Sequence, residues 1–424
     1  MKLSRAAVLL PFAALLLGAG SPPPRLAPVQ LVETRPVEYA IGNPDVPAAL
    51  PTWLALFQEA KHTLDLEQFY LSTWPGEPMD DVLAELGRAA KRGVKVRLIL
   101  DSRLYRTYPH TADSLAHVAG WQVRLVDFGR IAGGVQHAKF FLIDDAACFV
   151  GSQNFDWRSL KHIHELGVAI HDRRVTHDFQ QVFDMDWAVA TPVGQAPDTT
   201  RTAFVPTPRS PALALPYRIA QAPGDTLELW PSFTPGRFIP DTSMYDLRRI
   251  VGLIDGARHE VAIQMYAYSP EGRNERVADI DDALRRAAAR GVSVKMVAAD
   301  WMEGGRGMAF LQDLAKTPNV EVKMSTVPEW SGGYIPFARV EHCKYMVVDT
   351  LMTWVGTDNW EPSYFTGTRN LAVTVKQRAF ARQARTIFEN SWNASGAAKL
   401  DVTTKYPAKV HGEDAPAGEK KYGG

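Results

Sequence analysis

The chain has 424 residues, of which 46% are hydrophobic and 22% are charged. This length and composition are typical of a globular protein with two domains of ordinary size and exclude a small single-core domain. The 47 lysines and arginines equal the 47 aspartates and glutamates, which excludes a histone-like protein that binds polyanions through its net charge but allows a local basic cleft.

Residues 1–21 have the pattern of a signal peptide. Lys2 and Arg5 precede an apolar run over residues 6–20, and small residues and prolines follow it. The run is shorter than the ~20 residues that a membrane-spanning helix needs, so we predict a cleaved signal peptide, with an uncleaved anchor as the alternative. No cysteine lies near the predicted cleavage site. We therefore predict a secreted or periplasmic protein without a lipid anchor.

The next feature along the chain is an internal repeat. Residues 59–70 read as the end of a helix followed by a strand, and residues 256–266 read the same way. Residues 90–98 return as residues 289–297, each with the end of an amphipathic helix, a glycine and an apolar strand. Strands that alternate with helices predict an α/β fold for each half.

The repeat sets the predicted domain boundaries. We predict a first half over residues 29–195 and a second half over residues 241–400. Residues 196–240 are rich in proline and turn residues and have no sustained periodicity, so they are predicted to be a connecting segment. Residues 411–424 contain Gly, Lys, Glu and Ala without an apolar period and are predicted to be a disordered tail.

One motif occurs in both halves with identical spacing. It consists of a His, a Lys and an Asp, followed after six residues by a Gly, a hydroxyl residue and an Asn. Its members are His137, Lys139, Asp144, Gly151, Ser152 and Asn154, and then His342, Lys344, Asp349, Gly356, Thr357 and Asn359. Folding alone does not require such a set, so we predict that it forms a catalytic site.

The spacing also predicts which side chains share a face. Apolar residues follow each His and Lys, which is typical of a buried central strand. Because side chains alternate along a strand, His137 and Lys139 face one side, whereas Asp144 has the opposite parity. We therefore expect Asp144 and its counterpart Asp349 to brace the structure or a histidine from behind. The motif glycines would let a neighbouring strand approach closely, and the hydroxyl and Asn residues would point toward the pocket.

The doubled motif, HxKxxxxD followed by GSxN, resembles the signature of the phospholipase D superfamily, and the resemblance covers essentially the whole chain after residue 21. Residues 151–165 and 335–346 are also similar to the animal lysosomal members, which are 5′ exonucleases on single-stranded nucleic acid. The resemblance implies an α/β fold with two pseudo-symmetric phospholipase D-type α/β/α sandwich domains in one chain. It also implies that the pocket lies at the interface between the two domains.

The resemblance implies a reaction that needs no metal and no cofactor. One neutral imidazole attacks phosphorus to form a phosphohistidine, and the other protonates the leaving oxygen. Superfamily precedent makes His137 the nucleophile and His342 the acid. The remaining predicted roles are charge neutralisation by the lysines and hydrogen bonding by the asparagines: Lys139, Lys344, Asn154 and Asn359.

Glu165 marks a difference between the halves. It follows His137 by 28 residues, and the resemblance implies that a carboxylate at this position orients a histidine. The matching residue in the second half is Asn370. A carboxylate on one side only would make the two catalytic histidines unequal in basicity.

Several weaker signals have two interpretations each. His162 and His164 look like a metal-binding pair only in isolation, because no further cluster of ligands supports them. The histidines that begin the repeat, His62 and His259, are predicted to lie on the surface. Aromatic side chains near the motifs would stack bases or pack at the interface: Trp157, Trp330, Tyr334 and Trp360. Nearby arginines would steer phosphates or pair with carboxylates: Arg158, Arg339 and Arg369.

The sequence leaves three functions open. The first is hydrolysis of phosphodiesters in single-stranded nucleic acid from the 5′ end, and the second is phospholipase D activity on phospholipid headgroups. The third is a non-catalytic protein that binds phosphate or nucleic acid. A lipid enzyme should expose an aromatic or apolar entry loop and contact membranes transiently. An exonuclease should have a pocket closed at one end. No obligate protein partner is evident from the sequence.

Overall fold

The computed structural model describes residues 26–196, 215–416 and 420–423. The predicted signal peptide, residues 1–21, lies outside the described residues. Every helix in these three ranges is too short or too polar to cross a lipid bilayer.

The first half is one mixed sheet with helices on both faces. Its strands are β1 (Val29–Thr34), β2 (Thr63–Gln68), β3 (Leu71–Ser72), β4 (Lys95–Asp101), β5 (Trp121–Val126), β6 (Phe140–Ile143), β7 (Ala147–Gly151), β8 (Phe155–Asp156), β9 (Glu165–Ile170) and β10 (Thr191–Pro192). Its helices are α1 (Ala49–Glu59), α2 (Pro78–Lys91), α3 (Ser102–Tyr105), α4 (Pro109–Ala116), α5 (Phe128–Ala132) and α6 (Arg173–Val189). The strand order is β1-β9-β7-β6-β2-β4-β5-β10, and β3 pairs with β8 separately.

The second half repeats this design. Its strands are β11 (Tyr217–Ala222), β12 (Asp225–Thr234), β13 (Glu260–Met265), β14 (Ser293–Ala299), β15 (Val320–Ser325), β16 (Lys344–Val348), β17 (Met352–Gly356), β18 (Asn370–Lys376) and β19 (Ala397–Lys399). Its helices are α7 (Asp246–Asp255), α8 (Asp279–Ala289), α9 (Gly307–Leu314), α10 (Pro362–Thr366) and α11 (Arg378–Trp392). The strand order is β11-β12-β18-β17-β16-β13-β14-β15-β19.

The two sheets share the same central topology. In the first sheet β2 pairs in parallel with β4 and antiparallel with β6, and in the second β13 pairs in parallel with β14 and antiparallel with β16. The central orders β9-β7-β6-β2-β4-β5 and β18-β17-β16-β13-β14-β15 therefore correspond strand for strand. This correspondence confirms the predicted pair of α/β repeats.

The helices α2 and α8 illustrate why the repeat folds alike in both halves. Each begins with acidic residues and ends with basic ones, and these charges stabilise the helix through their interaction with its dipole. Each is followed by a glycine with positive φ, Gly93 at 94° and Gly291 at 88°, a conformation that glycine adopts without a Cβ penalty. The chain then turns directly into the parallel strands β4 and β14.

Three apolar clusters build the core. One packs α1 and α2 on the outer face of the first sheet, and another packs α7 and α8 on the outer face of the second. The third lies between the sheets and joins both halves with α6 and α11. Its largest members from each half include Phe140, Phe179, Phe183, Tyr345, Phe380 and Phe388. The motif strands β6 and β16 therefore lie in the middle of the molecule.

The segment predicted to connect the halves contains strands. Residues 217–222 and 225–234 form β11 and β12, and β12 pairs along its length with β18. The second half thus begins well before residue 241. Prolines obscured this strand in the sequence. Pro231 lies within β12, and a proline inside a run of residues weakens the prediction of a strand there.

The predicted disordered tail is docked where the structure describes it. The backbone N–H of Tyr334 donates to the carbonyl of Lys420, and the N–H of Tyr422 donates back to the carbonyl of Tyr334. These contacts hold residues 420–422 against the second half. The prediction failed because the few aromatic anchors of the tail have no period that a sequence pattern reveals.

Two short backbone pairings connect the halves reciprocally. In the first pairing, the N–H of His137 donates to the carbonyl of Arg369, and the N–H of Arg369 donates to the carbonyl of residue 135. In the second pairing, the N–H of His342 donates to the carbonyl of His164, and the N–H of His164 donates to the carbonyl of residue 340. Each pairing joins the segment before a motif lysine to the residue that precedes the last central strand of the other half. The motif histidines are therefore fixed by contacts across the interface.

Buried ion pairs reinforce both pairings. The Arg369 guanidinium binds both carboxylate oxygens of Asp186, at 2.7 and 2.8 Å. At the equivalent place His164 lies between two carboxylates, with Nδ1 2.6 Å from Glu341 and Nε2 2.8 Å from Glu33. Burial opposes the charged form of His164, but contacts with the neighbouring Cys343, Glu341 and Glu33 raise its pKa well above the ordinary value.

His164→Ala should lower the free energy of unfolding by about 3–5 kcal/mol, because two buried carboxylates lose their shared cation. Denaturant unfolding at pH 6 measures this change. Because the folded-state pKa is raised, the His164 contribution is fully present below about pH 6.5 and is lost as the pH rises through the folded-state value. His171→Ala, which removes a partly exposed pair with Glu59, should cost less than about 1 kcal/mol. Equal costs for the two variants would contradict the importance of the His164 pairs.

Candidate active site

The two motif segments place a His and a Lys from each half deep in the interface. All four side chains are buried, and Lys139 Nζ donates to the carbonyl of His137 at 2.5 Å while Lys344 Nζ donates to that of His342 at 2.6 Å. This local bond is possible because each Lys lies two residues after its His, on the same side of an extended chain. The predicted sharing of a face is confirmed for both pairs.

Asp144 and Asp349 lie at the far end of the motif strands, away from the histidines. The Asp144 carboxylate accepts the backbone N–H groups of residues 61, 62 and 63, at 2.8–3.1 Å. Asp349 does the same for residues 258, 259 and 260. Both residues have positive φ, 51° and 53°, which aspartate tolerates better than most residues. They brace the starts of the neighbouring strands β2 and β13, in agreement with the predicted parity, and neither bonds to a motif histidine.

The motif glycines allow close strand packing. A Cβ on Gly151 would lie 2.6 Å from the Cα of Gly167 in β9. A Cβ on Gly356 would lie 2.9 Å from the Cβ of Ala372 in β18. These distances are shorter than packed atoms allow, so glycine is required at both positions, as predicted.

Each catalytic histidine is bonded to a side chain of the other half. Nδ1 of His342 lies 2.8 Å from the Glu165 carboxylate, and Nδ1 of His137 lies 3.1 Å from Oδ1 of Asn370. Glu165 therefore orients the histidine of the second half rather than the one that precedes it in its own half. In both cases the Nε2 atom remains for the chemistry.

The hydroxyl residues of the motif support these partners instead of pointing into the pocket. Ser152 Oγ accepts the N–H of Leu166 at 3.0 Å. Thr357 Oγ1 accepts the N–H of Leu371 at 3.1 Å and donates to Asn370 at 3.0 Å. The expectation that these hydroxyls face the substrate is wrong, because they are used to fix the starts of β9 and β18.

A cavity of about 520 Å³, here the central cavity, contains both catalytic histidines and both motif asparagines. The Oδ1 atoms of Asn154 and Asn359 are buried and have no hydrogen-bond partner among the described residues. Buried amide oxygens are normally paired, so these two can accept a hydrogen bond from a donor group of a ligand. The motif residues that line this cavity are His137, Asn154, His342 and Asn359. Lys139 and Lys344 are not among its lining residues, and each bonds to the backbone carbonyl of the histidine two residues before it.

Aromatic rings that the sequence interpretation missed enclose the imidazoles. Phe69 and Tyr364 pack edge-on against His137 at 4.8 and 5.0 Å between ring centres, and Tyr266 packs against His342 at 4.8 Å. Phe69 and Tyr266 follow β2 and β13 directly, at equivalent places in the repeat. That shared aromatic position was a signal in the sequence.

The cavity is electrostatically unusual because several ionisable groups are buried together. The pKa values of His137 and His342 lie well below the usual value. The causes are burial and the positive charges of Lys139 and Lys344. Burial lowers the pKa of Lys344 to about 8, and burial together with Lys344 lowers that of Lys139. Burial raises the pKa of Glu165 to about 8. Both imidazoles are therefore neutral at neutral pH, and an anion that binds here relieves the repulsion between the lysines.

Most of the aromatic and arginine residues near the motifs make structural contacts. Trp360 is buried in the core of the second half, and Arg369 pairs with Asp186. Arg339 donates to the backbone carbonyls of residues 37 and 328. Arg158 pairs with Asp156 and also lines the central cavity. As predicted, His62 and His259 are exposed.

His164 belongs to a buried group of possible metal ligands with Glu341 and Cys343, whose ligand atoms lie within 4.8 Å of one another. Both ring nitrogens of His164 already bind carboxylates. Its neighbour His162 packs against Trp157 and Trp330 instead, at 5.6 and 4.9 Å. The two histidines therefore do not act as a pair.

A family model described as "Cardiolipin synthase, PLD-like domain" matches the chain twice, over residues 53–187 and 250–392. The chain belongs to the phospholipase D superfamily. Together with the relatives below, this membership makes the protein a phosphoric diester hydrolase. The repeated match coincides with the two sheets, so each phospholipase D repeat supplies one His–Lys pair.

Known superfamily members resemble this chain over most of its length. The 5'-3' exonuclease PLD3 of Rattus norvegicus is 32% identical over 411 residues, which cover 88% of this chain and 80% of the relative. Phospholipase D Z of Dictyostelium discoideum is 28% identical over 360 residues, which cover 81% and 84%. A phosphatidylserine synthase structure from Haemophilus influenzae has a TM-score of 0.60 at 12% identity over 83% of this chain and 85% of that one. This structural likeness concerns the fold.

The pKa values of His137 and His342 should both lie below 6.5 in the substrate-free protein, and Lys139→Gln should raise both, because a positive charge beside the imidazoles is removed. NMR titration of ¹³C-labelled histidines, assigned by substitution, measures these values. Lys61→Gln, which removes an exposed lysine of the same half, should leave them unchanged. A wild-type value above 6.5 for either histidine would contradict the proposed electrostatics.

Proposed function

We propose that the protein is a secreted, metal-independent phosphodiesterase that acts through a covalent phosphohistidine and hydrolyses single-stranded nucleic acid from the 5′ end. The observation that carries the proposal is the central cavity, in which two neutral imidazoles meet beside Asn154 and Asn359, while a buried lysine bonds to the backbone carbonyl of each histidine. Secretion rests on the pattern of residues 1–21.

The first half of the reaction is an attack on phosphorus. Nε2 of His137 forms a bond to phosphorus, the bond from phosphorus to the leaving oxygen breaks, and His342 gives that oxygen its proton. His342 is neutral in the substrate-free protein, and the negative charge of the bound phosphodiester raises its pKa so that it takes up this proton. Lys139 and Lys344 neutralise the charge that gathers on the non-bridging oxygens, while Asn154 and Asn359 add hydrogen bonds. Two buried ammonium groups thereby supply the positive charge that metal ions supply in other phosphodiesterases.

The second half of the reaction releases the product. Neutral His342 accepts a proton from a water molecule, which attacks phosphorus as the bond to His137 breaks. His342 must therefore gain and lose a proton. Burial raises the pKa of Glu165 to about 8, and when this carboxyl ionises it stabilises the imidazolium form of His342. His137 is bonded to a neutral amide instead, which suits a group that is a nucleophile. This difference supports the assignment of His137 as nucleophile and His342 as acid and base.

The substrate is proposed from the walls of the cavity and from the relatives. Tyr70, Tyr108 and Trp301 line the cavity beside the histidines, and aromatic rings stack on unpaired bases. Arg158 adds a cation on the same wall. The name of the Rattus norvegicus relative, a 5'-3' exonuclease, agrees with this substrate and direction.

Phospholipid headgroups are the second candidate substrate. Trp74 and Phe337 are 39% and 37% exposed, and Phe337 lines the central cavity. Exposed aromatic residues at a cavity mouth suit docking at a lipid surface. The name of the Dictyostelium discoideum relative, a phospholipase D, agrees with this alternative.

His137→Ala and His342→Ala should each lower turnover of bis(p-nitrophenyl) phosphate by at least about a thousand-fold, because each histidine supplies an electron pair or a proton that no neighbour replaces. The matched control is His62→Ala, an exposed histidine in the first half, which should retain full turnover. His137→Ala should also fail to trap a phosphorylated protein after quenching in alkaline denaturant, in which the phosphorus–nitrogen bond of phosphohistidine survives. Near-normal turnover in either catalytic variant would overturn the mechanism.

The mature protein should shorten 5′-hydroxyl single-stranded DNA stepwise in excess EDTA and leave phosphatidylcholine liposomes intact. Gel analysis of labelled DNA and choline release measure the two activities side by side. Choline release with untouched DNA would replace the nuclease proposal by the lipase. Loss of activity in EDTA that a divalent ion restores would contradict metal independence.

A further inference from the structure

The C-terminal residues 409–416 and 420–423, here the C-terminal strap, contact both halves beside the central cavity. On the second half, the ring of His411 stacks on Trp301 with 4.1 Å between centres and 14° between planes. The His411 carbonyl accepts the N–H of Phe337 at 2.9 Å, and the Gly412 carbonyl accepts the hydroxyl of Tyr334 at 2.7 Å. The beginning of the strap is thus attached at one side of the cavity.

The end of the strap is attached to the first half by Tyr422. Its hydroxyl donates to the Glu77 carboxylate at 2.8 Å. Its ring lies 6.0 Å from Trp157 and 6.1 Å from Trp74, and 5.0 Å from Trp330 of the second half. The strap therefore bridges the two halves at the point where they form the active site.

The strap forms a wall of a second cavity of about 420 Å³, here the strap cavity, which adjoins the central one. The two cavities share Tyr108, Arg158 and Glu413. Strap residues and aromatic residues of the first half both line the strap cavity: Glu413, Lys421, Tyr422 and Gly423 from the strap, and Trp74, Tyr108 and Trp157 from the first half. Its size and aromatic walls suit one nucleoside.

A third cavity of about 570 Å³, here the arginine cavity, adjoins the central one on another side. It shares Asn359 and Tyr364 with the central cavity and contains Arg273 and Arg306. Of its two glutamates, Glu271 pairs with Arg276 at 2.7 Å, and burial raises the pKa of the other, Glu361. Its arginines make this cavity suited to a chain of phosphates. On the strap side the cations are already paired, Lys421 with Glu413 and Arg158 with Asp156.

We propose that the C-terminal strap makes the active site accept only strand ends: the terminal nucleoside occupies the strap cavity, and the rest of the strand leaves through the arginine cavity. A continuous strand cannot extend past the strap, because Tyr422 and Glu413 occupy its path. This inference rests on the proposed nuclease function and adds the residues that impose the requirement for an end.

Cleavage of a single-stranded DNA circle compared with the linear strand of the same sequence tests the strap. The wild-type protein should cut the circle at no more than about a hundredth of the linear rate. Tyr422→Ala, which removes the anchoring ring and hydroxyl, should raise the ratio of circular to linear cleavage at least about ten-fold. Deletion of residues 411–424 should raise it further. Asp414→Asn, an exposed residue of the strap, is the control and should leave the ratio unchanged.

Turnover of bis(p-nitrophenyl) phosphate by each variant reports whether its catalytic centre is assembled. A variant that turns over this small diester but still rejects circles overturns the proposal, as does a wild-type protein that cuts circles readily. Loss of small-diester turnover in both strap variants also overturns it, because the strap would then support the catalytic centre rather than block a path. A wild-type protein that cuts the small diester but no nucleic acid refutes the proposed function itself.

Discussion

Reciprocal pairing between the two halves is the constraint on which the active site depends. The segment that carries each catalytic histidine pairs with the residue just before the last central strand of the other half. The next residue of that strand is Glu165 in one half and Asn370 in the other, so the pairing brings each of these side chains to the imidazole opposite. Each half has its own sheet and outer core, yet neither half alone contains an oriented histidine.

The same interface makes the site receptive to a phosphodiester. Lys139 and Lys344 are buried with their ammonium groups 5.0 and 4.9 Å from the ring centres of Phe69 and Tyr266, and each donates to one backbone carbonyl. These contacts stabilise the two cations only partly, since buried charge is costly without a counterion. An anionic substrate supplies that counterion. A chain with no net charge can therefore still attract phosphate locally.

The two halves differ in the residues at the start of their last central strands, where the halves pair with each other. The first half contributes His164 and Glu165 before and at the start of its last central strand, and the second contributes Arg369 and Asn370. Both His164 and Arg369 are buried cations bound by carboxylates. They therefore have the same structural role, which is to stabilise the pairing of the halves, although one is an imidazolium and the other a guanidinium. The change from carboxyl to amide alters the chemistry, because only one motif imidazole has a partner that can ionise.

The amino-acid sequence by itself determined the repeat, the α/β class, the six-residue motif and the shared face of each His and Lys, because these follow from local periodicity and strand parity. It also indicated that Glu165 orients a histidine. Only the tertiary structure decided that this histidine is His342, that the motif hydroxyls support strands, and that Tyr422 docks beside the cavity. Those contacts join residues far apart in the chain. Which partner each side chain meets depends on how two sheets pack, and no local pattern encodes that packing.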